Sequence, residues 1–388
     1  MKIGSLINSL EFYFSVSFVF YLAGYFYSGE LIEYDVGALG FVMHALATLS
    51  FLVGVALASP CLKINYDGGP VLIPRRGFYL VSYFFSVLGL VVTLYQVSLS
   101  VNIFDYLGSL FGGAFVELRE AFLLSSSEGG LPGPLKMLAN TTLGVVLMVF
   151  GLLYFCTTNP REKNKLKQLL IFSVFVLFLK IVFSLDRVSI FAIMFPFLFL
   201  AVKNRWYRRV FFYIAAFLFV FSLNFISSKR LEGYGIVDFV MLYFYLGIVN
   251  LEVTIDTLSG HTFGFNTLLA PLNFVFEFFS IEFDLGTDFD WVWNPAQYGV
   301  GYAYMDFGIF FFLFFLVLGV FARYITVKSY SGKLIFCSSY FVFVYGLMSF
   351  VTVPVIRGLE FYVALIVSVV IPFLFCRVAC SDYEKLVR

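Results

Sequence analysis

The sequence predicts an all-α, polytopic integral membrane protein. It has ten to twelve transmembrane helices and a large extracytoplasmic loop of short amphipathic helices. Three observations carry that prediction. Of the 388 residues, 61% are hydrophobic and only 13% are charged, with a mean hydropathy of +0.95; no soluble domain of this size can hide so much apolar surface from water. The apolar residues are gathered into runs of membrane-crossing length. The charges between those runs alternate by side.

A bilayer core is crossed by a helix of about 20 apolar residues. Met1 and Lys2 precede an apolar run that ends near Tyr27 with no small-residue cleavage site after it, so it reads as a retained first span rather than a signal peptide. Ten runs have the required length: 7–27, 36–58, 78–99, 137–157, 168–185, 187–202, 209–226, 302–322, 334–353 and 359–377. The fifth and sixth are joined by a tight link at Leu185-Asp186-Arg187. Two further runs, 236–257 and 263–283, are interrupted by Asn250, Glu252, Asp256, Asn266, Pro271 and Glu277. Because they come as a pair, counting them raises the total to twelve without altering the sidedness of the others. No soluble module, low-complexity tail or internal repeat interrupts the series, so 1–388 reads as a single integral membrane domain.

Cytoplasmic loops of membrane proteins carry an excess of Lys and Arg. With both termini inside, 18 of the 25 Lys and Arg residues fall on the inner side, in the groups Lys63–Arg76, Arg161–Lys167, Lys203–Arg209, Arg323–Lys333 and Arg377–Arg388, with Lys2. Of the 24 acids, 19 fall at or near the outer side. The cysteines (Cys61, Cys156, Cys337, Cys376 and Cys380) map to inner loops or inner helix ends, which argues against a disulfide framework. With His44 and His261 as its two histidines and no CxxC pair, the chain offers no metal-ligand pattern. No nucleotide-phosphate loop is present either.

Two outer segments stand out, about 100–136 and about 227–301. Long connections without structure of their own are uncommon unless they carry function. Seven cations lie on this acidic side against the general rule: Arg119, Lys136, Lys180, Arg187, Lys229, Arg230 and Arg357. Lys180 sits inside the fifth span. It reads either as an intramembrane functional group or as a lysine snorkelling to the nearby outer end. Arg187 either pairs locally with Asp186 or faces a ligand. Arg187, Arg230 and Arg357 stand at the outer ends of three separate spans, and guanidinium groups grip phosphate oxygens in pairs. Three of them converging would suit a pyrophosphate, which makes a phosphorylated lipid a natural substrate.

His261, in Ser259-Gly260-His261-Thr262-Phe263-Gly264, is the outer-side imidazole. It is either an idle surface residue or a base able to take the proton from an attacking sugar hydroxyl. Glu252 and Asp256, four residues apart, would share a helical face; they are rival bases or simply a solvated face. Asp306 opens the eighth span and could pair with an arginine. Trp291, Trp293, Tyr298, Tyr302 and Tyr304 cluster where the loop returns to the membrane, as an interfacial belt or as a platform for sugar rings.

Taken together, several features resemble the bacterial O-antigen (oligosaccharide repeat unit) polymerases of the Wzy type. They are the Phe-rich, many-span chain, the Asp186-Arg187 outer hairpin, the large late outer loop, the Tyr302-Ala-Tyr-Met-Asp306-Phe-Gly308 entry into the following helix, and the Tyr245-Leu-Gly247-Ile-Val-Asn250-Leu-Glu252 stretch. The resemblance covers most of the chain by topology, through short local motifs. It implies the multi-span glycosyltransferase fold of the O-antigen ligases, in a multi-pass inner-membrane protein with a periplasmic loop. It also implies a polymerase that moves a growing glycan from undecaprenyl pyrophosphate onto a new lipid-linked repeat unit, without metal or other cofactor and without nucleic acid. Partners would be lipid-linked oligosaccharides, membrane lipid, a chain-length regulator and a flippase. On this resemblance Arg187, Arg230, Arg357 and Lys180 would hold pyrophosphate, His261 would be the outer-loop base with Glu252 and Asp256 as rivals, and Trp291, Trp293 and Tyr302 would meet sugar. A lipid-linked oligosaccharide flippase and an O-antigen ligase are the rival readings. The flippase would carry polar groups along a central path, often on two related halves, whereas here they collect on one face.

Overall fold

The computed structural model describes residues 38–62, 71–99, 101–111, 133–156, 158–184, 236–258, 299–349 and 358–379, with isolated positions within 14–26, 189–196 and 260–267. The described residues are predominantly helical. Among the described residues four stretches are long and apolar enough to cross a membrane: Ala38–Ala58, Arg76–Ser98, Pro160–Ser184 and Gly299–Tyr330. The residues divide into two compact units, each assembled from discontinuous pieces of chain.

The first unit takes in 1–63, 233–327 and 346–361. Its helices are α1 (Ala38–Ala58), α7 (Ile236–Thr257), α8 (Gly299–Phe307) and most of α9 (Phe311–Tyr330), with a 3-10 turn at Gly308–Phe310 between the last two. On α1 the buried residues Gly40, His44, Ala47, Phe51, Gly54 and Ala58 recur every three or four positions and form one stripe. The opposite face, with Leu49, Val53 and Leu57, is exposed yet equally apolar. That all-round apolarity is what lipid as solvent demands. A Cβ on Gly54 would collide with the Leu316 carbonyl of α9, and one on Gly319 of α9 with the Phe51 carbonyl. Such backbone-to-backbone approach is how helices associate where lipid removes the hydrophobic drive. Within the region 227–301, where short surface helices are expected, residues 236–257 instead form one helix of 22 residues. Tyr245 and the stretch from Gly247 to Thr254 are buried.

The second unit takes in 64–232, 328–345 and 362–388. It contains β1 (Val71–Pro74), α2 (Arg76–Ser98), α3 (Ile103–Phe111), α4 (Gly133–Leu138), α5 (Thr141–Phe155), α6 (Pro160–Ser184), most of α10 (Leu334–Ser349), most of α11 (Leu359–Phe375) and β2 (Cys376–Ala379). At 15 residues α5 is about 22 Å long, short of a bilayer core of about 30 Å, and all but one of its residues are buried. It is the central helix of the unit, packed with α2 and α6. Its Gly144 lies against Ala364 and Val367 of α11, its Gly151 against the Cys337 carbonyl of α10.

Helix α6 begins at Pro160, eight residues ahead of the apolar run expected at 168. The cause is local. Asn159 Oδ1 accepts the Glu162 N–H at 2.8 Å, and Pro160 occupies the first helical position, where its missing N–H costs nothing. Glu162 also accepts from Tyr79 Oη of α2 at 2.6 Å and from Lys165 Nζ at 2.8 Å.

One feature departs from an all-helical expectation. Val71–Pro74 and Cys376–Ala379 pair antiparallel, with Val71 opposite Ala379 and Pro74 opposite Cys376. The Arg75 N–H extends the ladder to the Phe375 carbonyl at 2.9 Å. Strand β2 follows α11 directly, and β1 runs into α2 with one residue between, so the ribbon ties two helix ends together.

Candidate functional site

The richest polar constellation among the described residues belongs to the first unit and is built where the chain after α7 meets the α8 corner. Asp306, fully buried on α8, accepts two hydrogen bonds on Oδ2, from the Thr267 N–H at 2.7 Å and the Thr267 hydroxyl at 2.6 Å. A buried carboxylate needs such donors to offset its lost hydration. Thr267 is itself buried, so the clamp holds Thr267 to α8 away from water. Gly264, at φ 99°, takes a conformation that residues with a Cβ rarely adopt. Asp306 is thus engaged with Thr267, which lies 39 residues before it.

His261 lies six residues before Thr267 and is exposed. Its ring stands edge-on to Tyr304, with centroids 6.0 Å apart and planes at 89°, an arrangement aromatic pairs favour. Below it Gly308 turns the chain out of α8 at φ 53°. A Cβ built on Gly308 would lie 2.5 Å from His261 Nε2 and 2.8 Å from Cε1. The imidazole therefore occupies the space that the missing side chain vacates, held from beside by Tyr304. Tyr302, one of the expected sugar contacts, is half-buried on the same short helix.

The two carboxylates of α7 separate. Glu252 is buried, and its Oε1 accepts the Gly40 N–H at 2.9 Å. Gly40 is the third residue of α1, in the first turn where N–H groups lack partners within the helix, so Glu252 caps α1 from a neighbouring element and complements its dipole. One turn along α1, the buried His44 imidazole is hydrogen-bonded to the Gly247 backbone of α7. Asp256, a turn beyond Glu252, is exposed. The shared solvated face expected for this pair is absent. Asp256 is exposed, and Glu252 holds the Gly40 N–H.

The second unit holds Lys180, 4% exposed on α6. Its ammonium donates to Asn140 Oδ1 at 2.8 Å, just ahead of α5. The snorkelled arrangement is not the one found, because the charge turns inward to a neutral amide. The same unit carries a seam of hydroxyls: Ser86 Oγ with Ser173 Oγ at 2.8 Å, Thr142 Oγ1 to the Ser86 carbonyl at 2.7 Å, and Thr141 Oγ1 to the Phe85 carbonyl at 2.8 Å. Nearby, Tyr106 of α3 donates its hydroxyl to the Phe183 carbonyl at 2.7 Å.

Arg187, Arg230, Arg357, Trp291 and Trp293 lie outside the described residues. Thr267 and Asn140 escaped the reading of the sequence, since a lone threonine and a lone asparagine carry no pattern. Among the described residues no cluster of His, Cys, Asp and Glu could hold a metal ion, and Cys61, Cys156, Cys337 and Cys376 are free thiols. No protein family, curated protein or solved structure matches this chain.

Proposed function

We propose that this membrane protein is an O-antigen polymerase, a glycosyltransferase that joins undecaprenyl-pyrophosphate-linked oligosaccharide repeat units into polysaccharide on the periplasmic face of the bacterial inner membrane. The observation that carries the reading is the exposed, held imidazole of His261, set on Tyr304 and Gly308 beside the Asp306–Thr267 clamp. On the positive-inside reading of the charges it belongs to the acidic, outward side, where a lipid-linked glycan would be presented.

In the proposed reaction a sugar hydroxyl of the new repeat unit attacks the anomeric carbon of the growing glycan. The carbon–oxygen bond to the carrier breaks, and the carrier departs as lipid pyrophosphate. His261 takes the proton that the hydroxyl loses. Arg187, Arg230 and Arg357 neutralise the charge gathering on the pyrophosphate, with Lys180 as a further cation. Tyr302, Trp291 and Trp293 would meet sugar rings. Because pyrophosphate is already a good leaving group, the reaction asks mainly for orientation, charge stabilisation and one base.

The test is the glycan made by cells carrying the chain with His261→Ala or Arg187→Ala. We expect each variant to stay in the membrane at wild-type abundance. Polymer should fall by about 10²-fold, as removal of a general base or one preorganised charge contact does, leaving single repeat units capping the lipid. Normal chain lengths in both variants would refute the assignment. Loss of every cap, single units included, would point to a flippase or a ligase.

A further inference from the structure

We infer that Gly308 and the Asp306–Thr267 clamp are positioning devices for the His261 imidazole, so that the placement of this ring is written into three residues that touch no substrate. The inference rests on the reading of His261 as the base and extends it to what aims that base.

Three contacts converge on the ring and on the segment that carries it. Two hydrogen bonds from one residue to one carboxylate oxygen, at 2.7 and 2.6 Å, pin Thr267 to α8. Asp306 is fully buried and Thr267 nearly so, so the anchor does not compete with water. Tyr304, two residues before Asp306 on α8, meets the ring edge-on. Gly308, two residues after Asp306, leaves the space that the ring fills. Anchor, wall and floor thus come from five consecutive residues, 304–308, on one corner of the fold. An exposed imidazole with no such seat would sample many rotamers, and a misplacement of about 1 Å costs a reaction of this kind about 10²-fold.

A methyl group at Gly308 meets the ring rather than backbone, so Gly308→Ala displaces the imidazole itself. Thr267→Val removes the hydroxyl donor while leaving the backbone donor in place, and Thr267→Ser restores it. The readout is the rate at which diethyl pyrocarbonate modifies His261 in membrane vesicles, followed on the His261 peptide by mass spectrometry. The chain has two histidines, and His44 is buried, so the reactive imidazole is identified without ambiguity. We expect Gly308→Ala and Thr267→Val to change that rate several-fold and to lower polymer formation, with Thr267→Ser close to wild type in both. Should Gly308→Ala fail to accumulate, Thr267→Val against Thr267→Ser decides the matter. A modification rate equal to wild type in every accumulating variant overturns the inference, whatever His261→Ala does. Altered rates alongside normal polymer in His261→Ala would support the seating of the ring and remove the base reading alone.

Discussion

In the first unit the buried polar contacts among the described residues are led by carboxylates that accept from backbone N–H groups: Glu252 from Gly40, and Asp306 from Thr267. In the second, hydroxyls lead, donating to carbonyls or to one another, and the buried charge is a cation, Lys180, on a neutral amide. The difference has a physical consequence. A carboxylate bound by fixed backbone donors is held by geometry that side-chain motion cannot undo. An ammonium whose one partner among the described residues is an amide oxygen is a costly buried charge. The first arrangement suits holding a piece of chain in place; the second leaves a buried cation on a neutral partner.

The largest expected effect probes that contrast at Lys180. If Asn140 is its counterpart, Asn140→Leu strands a buried ammonium and lowers stability by about 3 kcal/mol, while Lys180→Met removes the charge, leaves one neutral amide oxygen unmet and costs about 1 kcal/mol. The measurement is unfolding in mixed micelles for both variants, with the double variant to close the cycle. Should Lys180→Met be the more damaging of the two, the ammonium has a stabilising partner beyond Asn140. If Lys180→Met leaves stability intact and abolishes polymer, Lys180 belongs with the pyrophosphate cations.

A smaller effect sharpens the same comparison in the first unit. Glu252→Gln keeps an oxygen for the Gly40 N–H and loses the interaction of the charge with the α1 dipole, about 0.5 kcal/mol. Glu252→Leu leaves that N–H buried and unmet, at about 2 kcal/mol. Polymer formation should survive Glu252→Gln, because the Gly40 N–H keeps an oxygen to donate to. Loss of polymer at wild-type stability in Glu252→Gln would restore it as a candidate base.

How much of this was legible in the sequence depends on the range of the interaction. The apolar runs that became α1, α2 and α11 could be bounded within two residues because a bilayer fixes their length. The start of α6 was equally readable in Asn159-Pro160-Arg161-Glu162, a helix-start signature that the apolar run eight residues later obscured. The burial of α5 was not readable. Lipid and protein interior are equally apolar, so Thr141–Phe155 looks like any span although nearly every side chain meets protein. The β1–β2 ribbon was hidden for another reason, since four-residue strands abutting helices are too short to display alternation. His261, Asp306, Tyr302 and Glu252 drew notice for their chemistry, yet the pairings that define them, 39 and 212 residues apart in the cases of Thr267 with Asp306 and Gly40 with Glu252, leave no periodic trace.

The last effect concerns Tyr106, whose hydroxyl does for the end of α6 what Glu252 does for the start of α1. Phe183 lies in the last turn of α6, where carbonyls lack partners within the helix, and the phenol supplies one from α3. Tyr106→Phe should therefore cost about 1 kcal/mol at neutral pH. The pH dependence identifies the cause. Burial pushes the Tyr106 hydroxyl up to about 12, so the fold holds the neutral phenol more tightly than the unfolded chain does. That contribution is complete below the ordinary phenol value near 10 and is lost as pH rises toward 12. Because one pH unit is worth about 1.4 kcal/mol per group, the wild-type advantage over Tyr106→Phe should vanish within about one unit above pH 10. An advantage that stays constant from pH 8 to 11 would mean that the phenol is not buried against Phe183, and that this helix end draws its partner from elsewhere.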